Sequence, residues 1–227
     1  MNESCMTGLD AFADSRPSGV ERPPLIGSRA PAFSARTTMG EVSLAAYHGR
    51  WLVFFAHPAD FTPVCTSEFI GFAKAHERFR ALGCELLALS VDSLFSHVAW
   101  VRAIAEKFGI AVNFPVAEDP SMAIAEAYGM IHRGATTSAT VRATFVIDPD
   151  GIIRAILWYP MSTGRSVAEI LRLVEALQVG DQAGVSTPEG WMPGDRVIDL
   201  PMLGVDPLAE SFAREGSIDW YYCLREP

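Results

Sequence analysis

The stretch Trp51-Leu52-Val53-Phe54-Phe55-Ala56-His57-Pro58-Ala59-Asp60-Phe61-Thr62-Pro63-Val64-Cys65-Thr66-Ser67-Glu68 decides what kind of fold this chain adopts. Its first six residues are a continuous apolar run bounded by Gly49 and Pro58, the composition of a central strand covered on both faces. From Thr66 to Leu82 the apolar Phe69, Ile70, Phe72, Ala73, Phe79 and Leu82 recur at three- and four-residue steps, and Gly83 follows as a C-terminal stop, which predicts a helix. The polar, proline-rich segment between them joins the carboxyl end of a buried strand to the start of a helix. In open α/β sheets that is where ligands bind.

Outward from this stretch, Glu85 to Val91 reads as a second buried strand and Ser96 to Phe108, closed by Gly109, as a second amphipathic helix. Strand, helix, strand, helix implies a parallel crossover. Ala32 to Ala35 and Val42 to Leu44 read as short strands and Ser121 to Tyr128 as a short helix. Ala143 to Ile147 and Ile152 to Leu157 form a hairpin around Asp148-Pro149-Asp150-Gly151, and Val167 to Leu177 is a last helix. The sum is an α/β fold, a sheet with helices on both faces.

Both ends differ in character. Residues 1–24 mix Gly, Ser, Pro and acidic groups without hydrophobic period and end in Arg22-Pro23-Pro24, which reads as a mobile extension. After Gly180, Gly and Pro recur too often for long elements, placing a boundary near 184 and dividing the ordered chain into 25–183 and 184–227. The tail carries Trp191, Trp220, Tyr221 and Tyr222, an aromatic density that predicts packing against another surface, with a second subunit as candidate.

With 227 residues, 49% hydrophobic and 20% charged, the chain has the makings of one sizeable core. A net charge of -9 and an isoelectric point near 5.0 argue against nucleic-acid binding, which rests on clustered Lys and Arg. No apolar run approaches the roughly 18–20 residues of a membrane helix, and the first 24 residues have no secretory pattern, so a cytoplasmic protein is expected. The cysteines Cys5, Cys65, Cys84 and Cys223 are scattered, with no CxxC pair and no Cys/His cluster at zinc spacing, and so read as individual thiols.

Cys65 stands out among them. A thiol in the first turn of a helix lies near unpaired N–H groups and the positive end of the dipole, which favour thiolate over thiol. Thr62 can offer a hydroxyl to the sulfur or to a bound oxygen, and Pro58 can shield the sulfur from water. Arg142, entering the strand Ala143 to Ile147, is the cation best placed on sequence to complete the pocket, and it cannot lose its charge. The bland alternative for Cys65 is a small buried hydrophobe, against which the polar helix entry weighs.

Pro58 through Cys65 resembles the P-x-x-x-T-x-x-C signature of the peroxiredoxins, and Val141 to Asp148 resembles the strand carrying their active-site arginine. The likeness runs from about Leu25 to the C-terminus. Ser162-Thr163-Gly164-Arg165 and Trp191-Met192-Pro193-Gly194-Asp195 are similar to the long one-cysteine, or peroxiredoxin-six, group. The resemblance implies a thioredoxin-like fold, a central mixed sheet flanked by helices, with a C-terminal extension that packs in a homodimer. It implies a cofactor-free, metal-free thiol peroxidase that reduces hydrogen peroxide and organic hydroperoxides. Cys65 would be the peroxidatic cysteine, Thr62 and Arg142 would hydrogen-bond peroxide and sulfur, and Pro58 would shield the sulfenic acid. Glu68 and Arg165 would form a network orienting Arg142, and His57 would border the pocket. An external thiol or a protein thiol would act as reductant, with Cys223 as a candidate resolving thiol.

Other residues carry no such expectation. His48, His76, His97 and His132 fall singly on helices or loops and are assigned no role, Cys84 reads as packing, and Cys5 has no local activation. Gly27-Ser28-Arg29-Ala30-Pro31 does not supply the G-x-S-x-G of lipases, so no phospholipase activity is expected. Three rival functions remain: a thioredoxin-type oxidoreductase, which the missing CxxC opposes, a redox sensor or chaperone acting through Cys65, and a metal-binding protein, which the dispersed histidines oppose.

Overall fold

The structure, a computed structural model, describes residues 23–131, 137–200, 217–219 and 221–226. The expected N-terminal extension lies, up to residue 22, outside the described residues, as do His132, Trp220 and Cys5. The chain runs β1 (Ser34–Thr37), β2 (Gly40–Ser43), a 3-10 turn (Leu44–Tyr47), β3 (Trp51–Ala56), α1 (Pro63–Ala81), β4 (Cys84–Ser90), α2 (Leu94–Phe108) and β5 (Val116–Glu118). It continues through α3 (Ala123–Ala127), β6 (Arg142–Ile147), β7 (Ile153–Tyr159), α4 (Val167–Ala183), β8 (Val185–Ser186), β9 (Val197–Asp199), β10 (Ser217–Asp219) and β11 (Tyr222–Arg225).

A seven-stranded mixed sheet has the order β2-β1-β5-β4-β3-β6-β7. β3, β4 and β5 are parallel, β6 and β7 run antiparallel on one side, and β1 and β2 antiparallel on the other. All six residues of β3 are buried, and their alternation explains it. Trp51, Val53 and Phe55 point into a core with Phe69, Phe72 and Phe79 of α1, Trp100 and Ile104 of α2, and Ile170 and Val174 of α4. Leu52, Phe54 and Ala56 enter a second core with Ile124 and Ala125 of α3, Tyr128 and Phe145. At about 1.5–3 kcal/mol for each large apolar side chain buried, these two cores hold the sheet between its helices.

The helix boundaries have local causes. Pro63 occupies the first position of α1, where its missing N–H costs nothing, so the helix begins three residues before the Thr66 expected from periodicity. Ser93 caps α2 by accepting from the Ser96 N–H, and Gly109, at φ 68°, ends it. α4 is capped by Ser166 and runs on to Ala183, six residues past the expected Leu177. Gly71 lets α1 approach α4, since a Cβ there would come within 3.1 Å of Val167. β5 was not anticipated: three buried residues are too short for periodicity to mark them as a strand.

Beyond Gly184, the residues expected to hold no long elements form a four-stranded sheet of short strands, β10-β11-β9-β8. Trp191 is buried with Val185, Val197 and Ala176 of α4, and its indole N–H donates to the Asp195 carbonyl at 3.1 Å. This corrects part of the expectation for the tail: Trp191 finds its cover within the same chain. Tyr221 remains 56% exposed.

Candidate active site

β3 delivers the chain to the carboxyl edge of the sheet, and the six residues His57 to Thr62 turn it into α1. Phe61 takes the left-handed backbone region, φ 55°, which costs a non-glycine residue about 1–2 kcal/mol. Two bonds hold the turn: the Thr62 hydroxyl donates to the Ala59 carbonyl at 2.9 Å, and the Asp60 N–H donates to Asp92 Oδ2 at 2.7 Å. Thr62 is the N-cap residue and Cys65 the third residue of the helix, fully buried. Pro58 is buried in the same turn.

The antiparallel register of β3 and β6 pairs Phe55 with Thr144, so the chain two residues before Thr144 brings Arg142 to the carboxyl end of β3. Arg142 Nη1 lies 3.3 Å from Cys65 Sγ and donates to Glu68 Oε2 at 2.8 Å. Its Nε and Nη2 both donate to the Met161 carbonyl, at 3.0 and 2.8 Å. Glu68, one turn along α1, is shared with Arg165: the Arg165 backbone N–H and Nε donate to Oε1 at 2.7 and 2.9 Å, and Nη2 donates to Oε2 at 2.8 Å. Arg165 Nη1 donates to the Ala143 carbonyl, and its guanidinium lies 5.2 Å over the Phe55 ring. Burial works to raise the Glu68 pKa, but hydrogen bonds and charge from Arg165, with the charge of Arg142, outweigh it and hold the carboxyl below its ordinary range. Cys65, Glu68, Arg142 and Arg165 thus form one connected buried network.

A second buried unit adjoins it. His57 Nε2 lies 2.9 Å from Asp60 Oδ1, and His97 Nδ1, from α2, lies 2.8 Å from Asp60 Oδ2. Burial pushes the His57 pKa down, and the Asp60 carboxylate counters it only in part. For Asp60, burial acts upward, but the two imidazoles overcome it and keep the carboxyl well below its ordinary range. His97 was assigned no role from sequence and belongs beside His57. The i,i+3 spacing of His57 and Asp60 was legible in the sequence, whereas no local signal marked His97. These three side chains put one donor atom each within 4.8 Å of one another, a possible metal-ligand set by type. Both Asp60 oxygens are taken up by the imidazoles at hydrogen-bond distance, while His57 Nδ1 and His97 Nε2 are buried without a hydrogen-bond partner.

A separate cavity of about 440 Å³, lined by residues including Arg29, Tyr47, His48 and Asp148, lies at the amino end of β3 and is lined by none of Cys65, Glu68, Arg142, Arg165, His57, Asp60 and His97.

Residues 26–156 match the AhpC/TSA family, and residues 176–200 match the C-terminal domain of 1-Cys peroxiredoxin. A peroxiredoxin of Aquifex aeolicus is 46% identical over 215 residues, covering 89% of this chain and 97% of that protein. The chain belongs to the peroxiredoxin family. A peroxiredoxin of Methanosarcina mazei is 45% identical over 89% of the chain and 98% of its own length. Among solved structures, a yeast mitochondrial 1-Cys peroxiredoxin, studied for thiol resolving via glutathione/thioredoxin systems, superposes with a TM-score of 0.81 at 37% identity, covering 90% of this chain and 100% of that one. A cysteine-to-serine mutant of the peroxiredoxin 6 of Arenicola marina gives 0.78 at 31% identity, covering 89% and 97%. This peroxiredoxin is therefore a thiol peroxidase, an oxidoreductase with a thioredoxin-like fold and a C-terminal extension.

The other described cysteines of this peroxiredoxin stand apart from Arg142. Cys84 is buried at the start of β4, and burial pushes its thiol up to about 12. Cys223 is buried in β11, opposite Asp199 of β9. Arg225 of the same strand donates to the Ala183 carbonyl at the far end of α4. Arg165, which contacts Glu68, precedes the near end. The 17 residues of α4 span about 25 Å between them.

Proposed function

We propose that this peroxiredoxin reduces hydrogen peroxide and organic hydroperoxides at Cys65. The observation that carries this reading is the 3.3 Å approach of Arg142 Nη1 to Cys65 Sγ at the first turn of α1. The Cys65 thiolate attacks the terminal peroxide oxygen, an S–O bond forms as the O–O bond breaks, and the alkoxide or hydroxide leaves and takes up a proton. Cys65 becomes a sulfenic acid, and the peroxide is reduced to an alcohol or water. Four of the five N–H bonds of Arg142 go to Met161, Glu68 and Cys65 among the described residues, which leaves one on Nη2 to stabilise charge on the departing oxygen. The Thr62 hydroxyl donates to Ala59, so its lone pairs are available to the O–H of the hydroperoxide. Pro58 closes the turn over the sulfenic acid. Glu68 and Arg165 orient Arg142. An apolar groove of about 500 Å³ bordered by Phe61, Thr62, Thr66, Trp100 and Phe108 favours including organic hydroperoxides.

The sulfenic acid condenses with an external thiol, giving a mixed disulfide and water, and a second thiol then releases Cys65 by exchange. The position of Cys223 supports external resolution: within one protomer, its approach to Cys65 requires β11 to leave its sheet. The reductant is of the low-molecular-weight or protein thiol class, in keeping with the glutathione/thioredoxin systems named for the yeast relative. The working compartment is the cytoplasm, where such thiols are kept reduced. No described helix is long and apolar enough to cross a membrane.

The protein works as a homodimer, a unit from which higher oligomers can be built. β7 lies at the edge of the sheet with Trp158 45% exposed, and an open seven-residue edge strand invites a second copy. Residues 25–183 form the peroxidase unit and 184–227 the extension that contributes to the dimer. The test is peroxide consumption with dithiothreitol by the native chain and by Cys65→Ser. Fast turnover lost in the serine variant supports the proposal, and equal slow rates overturn it.

A further inference from the structure

The first turn of α1 carries Cys65 but lacks the usual bonds at a helix start. Thr62, the N-cap, makes no side-chain bond to the helix because its hydroxyl is turned to Ala59, Pro63 has no N–H, and Phe61 ahead of them sits at positive φ. Thr66 fastens the turn instead. Its N–H and its hydroxyl both donate to the Thr62 carbonyl, at 2.9 and 2.8 Å. The same hydroxyl accepts from the indole N–H of Trp100, on α2, at 3.3 Å.

Trp100 is itself held in place. It is 2% exposed, its ring is packed 4.4 Å from that of Phe69, and a buried indole N–H needs the acceptor that Thr66 supplies. α2 is anchored around it: Ser93 caps the helix, the Leu94 N–H donates to Glu118 Oε2 at 2.8 Å, and His97, one turn before Trp100, lies 2.8 Å from Asp60 Oδ2. The two halves of the peroxidase cycle ask opposite things of the turn that Trp100 touches. Arg142 Nη1 faces Cys65 Sγ at 3.3 Å while the turn is closed. Cys65 is fully buried in that closed form, so an external thiol reaches its sulfenic acid only when the turn opens.

We propose that Trp100 and Thr66 are positioning residues that brace the first turn of α1 in its closed form, and that their hydrogen bond sets how the sulfenic acid divides between thiol and a second peroxide. This rests on the reading of Cys65 given above. In the closed turn a second hydroperoxide meets Cys65 beside Arg142 and Thr62 and transfers one oxygen. The sulfenic acid becomes a sulfinic acid, and the peroxide becomes an alcohol or water. In the open turn a thiol displaces the hydroxyl on sulfur, giving a mixed disulfide and water. Weakening the brace moves Cys65 from the first fate to the second.

The test uses the full chain and the variants Trp100→Phe, Thr66→Val and Thr66→Ser. Trp100→Phe keeps an aromatic ring and removes the N–H, Thr66→Val removes the acceptor at nearly equal size, and Thr66→Ser keeps the hydroxyl. Stopped-flow kinetics read oxidation of Cys65 and reduction of its sulfenic acid by dithiothreitol separately, and mass spectrometry counts the sulfinic acid formed per turnover. Trp100→Phe and Thr66→Val each slow oxidation and speed reduction by about three- to tenfold, the worth of one hydrogen bond, and lower the sulfinic yield. Thr66→Ser stays near native in all three. A merely structural role lowers the unfolding temperature without moving oxidation and reduction in opposite directions. Reduction no faster than native in Trp100→Phe and Thr66→Val, both steps changed in the same direction, or Thr66→Ser behaving as Thr66→Val overturns the proposal. Should Trp100→Phe not fold, the two Thr66 variants decide alone. Native and Cys65→Ser chains that consume peroxide equally slowly sink the peroxidase reading and the brace with it, whereas fast native turnover with an unmoved division between thiol and peroxide sinks the brace alone.

Discussion

Arg142 donates from a single nitrogen to both the carboxylate of Glu68 and the sulfur of Cys65, at 2.8 and 3.3 Å. The guanidinium that faces the sulfur is thereby aimed by a carboxylate on the same helix as that sulfur. A shift of the α1 first turn moves the sulfur and the group that orients its cation together.

Replacing Arg142 by Ala removes the donor to sulfur and leaving oxygen while Arg165 still neutralises Glu68. Peroxide reduction should slow by about 10²–10³-fold, the usual effect of losing one preorganised donor. Stopped-flow oxidation of Cys65 measures it, and a rate within a few-fold of native would remove Arg142 from the reacting group.

Glu68→Gln keeps the shape and removes the charge between two buried guanidinium groups. Destabilisation of about 3–5 kcal/mol is expected in urea unfolding at neutral pH. Because the folded-state pKa of Glu68 is depressed, its contribution is present above the unfolded value of about 4.3 and is lost as pH falls through the lower folded value. The difference between native and variant should therefore shrink below about pH 4. A gap constant down to pH 2 would show that the charge of Glu68 is not what stabilises the network.

Cys223→Ser should turn over peroxide with dithiothreitol at the native rate, since β11 holds Cys223 at the far end of α4. Loss of turnover in this variant would make Cys223 the resolving thiol.

Excess hydrogen peroxide should convert Cys65 to the sulfinic acid and leave Cys84 unmodified, because a buried thiol whose pKa is pushed up to about 12 is almost wholly protonated at neutral pH. Peptide mass spectrometry of the inactivated protein reads this directly.

Trp191→Ala opens a cavity between α4 and the C-terminal sheet, at a cost of about 3–5 kcal/mol. Limited proteolysis should then cut first beyond residue 184. Cleavage starting elsewhere would show that Trp191 does not fasten the extension.

The sequence by itself determined the central layer and the place of Cys65. The continuous apolar run Trp51–Ala56 and the helical period after Thr66 are local patterns, and the Pro58 to Cys65 signature lies wholly between them. The likeness to peroxiredoxins likewise rested on short contiguous motifs: Pro58 to Cys65, Val141 to Asp148, Ser162 to Arg165 and Trp191 to Asp195. Which charged groups meet is not written in any local pattern: the resemblance alone joined Glu68 to Arg165, and the tertiary structure alone joined Asp60 to His97. Glu68 and Arg165 are 97 residues apart, and Asp60 and His97 are 37 apart. Such pairs depend on the register of β6 against β3 and on how α2 and α4 lie on the sheet, which no local period encodes. The same holds for Trp191, whose apolar surface demanded cover that the sequence could not assign: the packing of α4 placed that cover within the chain.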